Sequence, residues 1–96
     1  MRKHEYDYTI HPDNSPEKFE AVRRVLWNNG YGKGRLIVDV DGSTYQEYEV
    51  GSGEIIVLDD YDTGAVYVLS DIDLTEILGS LIWINHRKEG NVIGTT

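Results

Sequence analysis

Polar and apolar residues alternate from residue 4 to residue 11. Tyr6, Tyr8 and Ile10 fall on one face and Glu5, Asp7 and Thr9 on the other, so the period of two predicts a half-buried strand. His11-Pro12-Asp13-Asn14 ends it, because Pro12 offers no N–H to a ladder and disfavours helix at the residue before it. Ser15-Pro16-Glu17 then reads as a helix start. Serine caps, proline suits the first helical position and glutamate meets the positive end of the dipole. Phe19, Val22, Val25 and Leu26 recur at helical spacing and predict a buried stripe. Asn29-Gly30 predicts the stop, with Gly30 in the left-handed position beyond the cap.

Four further strands are predicted over 35–40, 44–50, 54–58 and 65–69. The first two form a hairpin whose loop length decides every facing. A two-residue loop, Asp41 and Gly42, would set Val38 against Tyr45 and Leu36 against Glu47. A three-residue loop ending at Ser43 sets Leu36, Val38 and Val40 against Tyr48, Gln46 and Thr44. A slip of one residue flips every side chain, so the apolar pattern favours the odd-length loop. It predicts Val38 and Val40 buried on the side of Phe19, with Asp39, Tyr45, Glu47 and Glu49 facing water. Residues 54–58 and 65–69 are apolar on both faces and belong inside the sheet or under cover on both sides. Asp59-Asp60-Tyr61-Asp62-Thr63-Gly64 reads as the acidic loop between them.

The last helix is the best signed. Asp73 caps, Glu76 sits three residues on, and Ile72 with Ile77 makes a hydrophobic staple. Leu74, Ile77, Leu78, Leu81 and Ile82 form its stripe, and Arg87 and Lys88 follow where cations suit the helix end. Residues 89–96 read as a frayed tail. The order β-α-β-β-β-β-α predicts an α+β fold: a two-layer sandwich of two helices on a mainly antiparallel sheet of about five strands. At 96 residues the chain is a single domain, 1–96.

Charge changes this picture. All nine Lys and Arg residues lie outside 36–85, a stretch that holds eleven of the 17 acids, and the net charge is −8. The acids therefore decorate the strands. Such a balance repels nucleic acid and anionic membrane and favours a basic protein partner, with simple solubility as the plain alternative. The chain has no cysteine, which excludes disulfides and thiolate metal sites. No apolar run has the length of a signal sequence or membrane span, so a cytoplasmic protein is expected.

Chemistry is sparse. His4, His11 and His86 sit in distant segments, and Ser52 and Ser70 lack a nucleophile-elbow pattern, so no enzyme and no cofactor are expected. Gly30-Tyr31-Gly32-Lys33-Gly34 follows a helix and precedes a strand, the reverse of a phosphate loop. Asp59, Asp60 and Asp62 have the composition of a calcium loop, but Gly64 and Ala65 fall where the EF-hand needs an acid and then glycine. No metal is assigned. Trp83 falls on the polar side of the last helix, which suits a partner contact or a homodimer seam as well as it suits cover by the tail. The acids at i, i+2 (Glu5 with Asp7, Asp39 with Asp41, Glu47 with Glu49) set carboxylates about 6.7 Å apart on one face, close to the phosphate spacing of a nucleic-acid strand. Partner-facing candidates are therefore Asp39, Tyr45, Glu47, Glu49, Asp59, Asp60, Tyr61, Asp62 and Trp83.

In size and charge the chain resembles small acidic nucleic-acid mimics, such as phage anti-restriction and anti-CRISPR proteins and glycosylase inhibitors. Nuclease-neutralising immunity proteins and antitoxins are a variant of the same type. It carries no motif of any of these families. The resemblance implies an inhibitor that occupies the basic groove of a nuclease or other nucleic-acid-binding protein. The alternative is an accessory domain that binds a small molecule or calcium.

Overall fold

In the computed structural model, which describes residues 4–83, the elements are β1 (Tyr6–His11), α1 (Pro16–Asn28), β2 (Lys33–Val38), β3 (Thr44–Val50), β4 (Gly53–Asp60), β5 (Ala65–Ser70) and the single turn α2 (Thr75–Leu78). The five strands form one sheet in the order β1-β5-β4-β3-β2, with every pair antiparallel. The helices pack on one side of it, so the fold is the expected α+β sandwich. None of these helices is long and apolar enough to cross a membrane.

Local chemistry sets the ends of α1. The Ser15 hydroxyl accepts the N–H of Lys18 at 3.1 Å, and Pro16 takes the first turn. At the other end Tyr31 N–H reaches the Leu26 carbonyl and Gly30 N–H the Trp27 carbonyl, with Gly30 at φ 89°. That bonding pattern satisfies the last carbonyls and requires the left-handed residue that glycine adopts without strain.

The core lies between α1 and the sheet. Phe19, Val22 and Leu26 meet Tyr48, Ile55, Val57, Val66 and Val68, and Leu74 and Leu78 close the β1 side. Alternation decides membership: Ile55 and Val57 are buried, whereas Ile56 and Leu58 on the other face are half-buried. Gln46 is buried beside this core. Its amide donates to the carbonyls of Arg35 and Glu47, both at 3.2 Å. These carbonyls lie where the β2–β3 register shifts, between Lys33 and Leu36. Gly34 fits that irregularity because a Cβ there would stand 3.0 Å from the Glu47 carbonyl oxygen.

The hairpin between β2 and β3 departs from expectation in one respect. Val38 pairs with Thr44, Ile37 with Tyr45 and Leu36 with Gln46, so the loop is residues 39–43. The predicted pairing is displaced by two residues. Parity survives, and Tyr45 and Glu47 face away from the helices. Val38 and Val40, expected under Phe19, are 67% and 104% exposed. The reason is layer width. α1 packs over β4, which leaves the edge strand β2 uncovered on the helix side.

The last helix is also shorter than its sequence signs. Asp73 accepts the Thr75 N–H at 2.9 Å and the Thr75 hydroxyl at 2.6 Å, and these bonds lower its pKa. The helix then stops at Gly79, which has φ 51° and ψ −122°, and a 3-10 turn follows over Gly79–Leu81. Leu74 and Leu78 are buried, with Ile77, Leu81 and Ile82 packed against the core as the stripe requires. The expected roles of Arg87 and Lys88 and the tail 89–96 lie outside the described residues.

Candidate functional site

One face of the sheet is packed by helices and the other is open among the described residues. Cross-strand register builds that open face in rows. Tyr45, Leu58 and Tyr67 line up across β3, β4 and β5, and Thr9 extends the row on β1. Glu47, Ile56 and Leu69 form the next row, extended by Asp7. The result is a hollow of about 480 Å³. Ile56, Leu58 and Leu69 make its floor, with the rings of Tyr45 and Tyr67 at one end. Glu47, Glu54 and Asp60 supply carboxylates around it, and His4 lines it beside Glu54.

Each polar group has a defined setting. His4 Nε2 stands 2.8 Å from Glu54 Oε2, with the imidazole almost fully shielded. Glu47 lies 3.4 Å from the guanidinium of Arg35, which is 74% exposed, so the pair is weak and solvated. Asp60 accepts the Tyr67 hydroxyl at 2.8 Å and the Asp62 N–H at 3.0 Å. Burial raises the Tyr67 phenol above its ordinary 10.0, and the hydrogen bond to Asp60 adds to this against an opposing bond from Thr63. Burial also raises Tyr45, opposed by a bond from Ser43 and helped by the charges of Asp39, Asp60 and Asp41.

Those three charges reach Tyr45 because two loops meet there. The buried Ser43 hydroxyl accepts the Tyr61 N–H at 2.8 Å and lies 3.4 Å from Asp60 Oδ1. Asp41 accepts the Ser43 N–H at 2.9 Å, which holds its carboxyl below the ordinary aspartate value. The Tyr61 ring lies over Gly42, where a Cβ would come within 3.3 Å of it and where φ is 94°. Asp39, Tyr45, Asp60, Tyr61 and Asp62 are thus gathered at one end of the sheet. Glu47 lies in mid-face, and Glu49 is exposed and opposite Glu54 at the far end.

Two candidates fall elsewhere. Asp59 belongs to β4 and not to the loop; it is 4% exposed on the helix side and accepts the Asn14 amide at 2.8 Å. The same amide donates to the Asp60 carbonyl at 2.9 Å. The Asp59 carboxylate is therefore a tie between the β1–α1 loop and the sheet, not a partner-facing charge. Asn14→Ala is expected to lower stability by about 1–3 kcal/mol in a denaturant melt, because it strands a buried acceptor. Trp83 lies at the opposite edge, past the 3-10 turn, 44% exposed. Its N–H donates to the Thr9 carbonyl at 2.7 Å, and its ring meets His11 edge-on at 5.8 Å.

The floor of the hollow, with His4, Glu54 and Tyr67, was not among the sequence candidates. A signal for it existed. Two helices cannot cover both faces of five strands, so the apolar residues of one face had to remain open. Among the described residues no three His, Asp or Glu side chains are grouped to hold a metal ion. Comparison with known protein families, with curated proteins and with solved structures finds no match.

Proposed function

We propose that this protein is a small acidic inhibitor that acts in the cytoplasm by occupying the basic groove of a nucleic-acid-handling protein. What supports the reading is the open sheet face: an apolar hollow ringed by carboxylates, in a stretch of 50 residues without Lys or Arg. Glu47 and Glu49 stand about 6.7 Å apart along β3, and Glu49 faces Glu54 across the ladder, so the carboxylates at the rim of the hollow can meet cationic side chains that otherwise bind phosphates. The apolar floor adds what a charge grid lacks, a desolvated anchor point for an aliphatic or aromatic side chain of the partner. Phage or mobile-element inhibitors and nuclease immunity proteins are the types this chemistry suits.

The test is capture from the native host, followed by competition. The captured protein is expected to bind nucleic acid, and the domain to displace that nucleic acid in a gel-shift titration. A captured partner that holds nucleic acid and the domain together would overturn the reading. A small-molecule role has one observation in its favour, since about 480 Å³ is within the range of ligand pockets. It would show as a ligand-induced thermal shift without any basic protein present.

A further inference from the structure

The two edges of the sheet are treated differently. At β1 the chain's own Trp83 N–H occupies the Thr9 carbonyl. At β2 no described strand lies beyond the edge. The direction of its free backbone groups follows from one bond. Asp39 N–H donates to the Ser43 carbonyl at 2.8 Å, continuing the register in which Val38 faces Thr44. Residues of an antiparallel ladder alternate between bonding their neighbour and pointing outward. Asp39 and Ile37 therefore bond to β3, and Leu36 and Val38 offer their N–H and C=O groups to the outside. Their side chains are 50% and 67% exposed on the helix side.

We propose that this edge is a homodimer seam, in which β2 of a second copy of the chain adds antiparallel about a two-fold axis through Ile37. The occupant is argued from self-complementarity. In this register Leu36 faces Val38 of the second copy, apolar to apolar, and Arg35 faces Asp39 of the second copy. Symmetry makes each contact twice. The Arg35 guanidinium is 74% exposed and its 3.4 Å pair with Glu47 is weak, and Asp39 is exposed with one carboxylate oxygen accepting the Val40 N–H, so the two can reach each other across the seam. An axis through Leu36 would set Arg35 against Ile37 and draw Gly34 into the ladder, where the β2 register is irregular. The axis through Ile37 confines the backbone hydrogen bonds of the seam to Leu36 and Val38, within the regular segment.

Charge also selects this edge. Two chains of charge −8 repel unless the seam mixes signs. Every described Lys and Arg precedes Leu36, and Lys33 and Arg35 lie on β2 itself. The two-fold axis stands perpendicular to the sheet, so both helical layers share one side and both acidic faces share the other. The seam does not depend on the identity of any partner.

The experiment is sedimentation velocity over a wide concentration range, with circular dichroism to confirm folding. The wild-type chain is expected to show a monomer–dimer equilibrium. Arg35→Asp and Asp39→Arg are each expected to weaken it roughly tenfold or more, since each turns two facing opposite-charge pairs into like-charge pairs. Mixing the two variants restores dimer as a heterodimer, because both facing pairs are then opposite in sign. On the wild-type chain, amide exchange at Leu36 and Val38 is expected to slow as concentration rises. A chain that stays monomeric at every concentration would overturn the seam. So would a dimer that neither swap weakens, or variants that do not combine. Protection of Leu36 and Val38 that appears only with a different protein would assign the edge to that protein's strand instead.

Discussion

Val57→Asp is expected to leave no folded domain, and Leu58→Asp, one residue further on, to fold. The two positions are neighbours in the central strand and face opposite layers. Val57 is fully buried, between Gln46 and Val68 and within the core beneath α1. A carboxylate there would sit among the apolar core side chains, and an unpaired buried ion costs several kcal/mol. A domain of this size holds about 5–15 kcal/mol in total and also loses the valine's own burial. Leu58 is half-buried on the open floor between Tyr45 and Tyr67. Its replacement keeps the new carboxylate in reach of water and costs on the order of 1–2 kcal/mol, about half of what full burial of a leucine contributes. Circular dichroism and a thermal melt read the difference directly. If Leu58→Asp also unfolds the chain, the second face is core, and the hollow is not a surface at all.

That contrast also shows what the sequence could and could not convey. Alternation fixed which residues share a face, and this survived even where the hairpin register did not. A displacement by two residues keeps every side chain on its face, so the apolar pattern around Leu36 and Val38 is blind to it. The choice came from contacts no local pattern announces: the Ser43 hydroxyl under Tyr61, and the Gln46 amide at the irregularity beside Gly34. Asp59 and Asp60 make the same point. Successive strand residues must face opposite ways, so one of the two acids had to enter the helix side, where Asn14 meets it. Their sequence looks like a loop because paired acids are rare in strands. The last helix was legible in its stripe and not in its length, because the left-handed Gly79 cuts it after one turn. Continuous apolar runs in β4 and β5 gave the interior position of both strands correctly. They concealed that one face is only half covered.

Binding of the proposed basic partner is expected to fall steeply with added salt. Attraction between exposed charges is screened over about 8 Å at physiological ionic strength, and the carboxylates of the open face are exposed or half-buried. Replacing Glu47 and Glu49 together by Gln is expected to slow association by roughly tenfold at low salt and to leave dissociation nearly unchanged, since peripheral charge acts chiefly on encounter. The double variant isolates binding from folding. Glu49 is exposed, and the Glu47 pair with Arg35 is solvated, so their loss shifts stability by less than about 1 kcal/mol. Leu58→Asp supplies the complementary measurement: it adds a charge of the same sign and removes the apolar anchor. Under the mimicry reading, steering persists in that variant while the complex dissociates faster, because the floor holds the partner after charge has delivered it. Surface-plasmon association and dissociation rates across a salt series separate the two contributions. A partner whose association rate ignores both salt and the Glu47/Glu49 substitution is not being met as a substitute for nucleic acid. Its contact would then rest on the apolar floor alone.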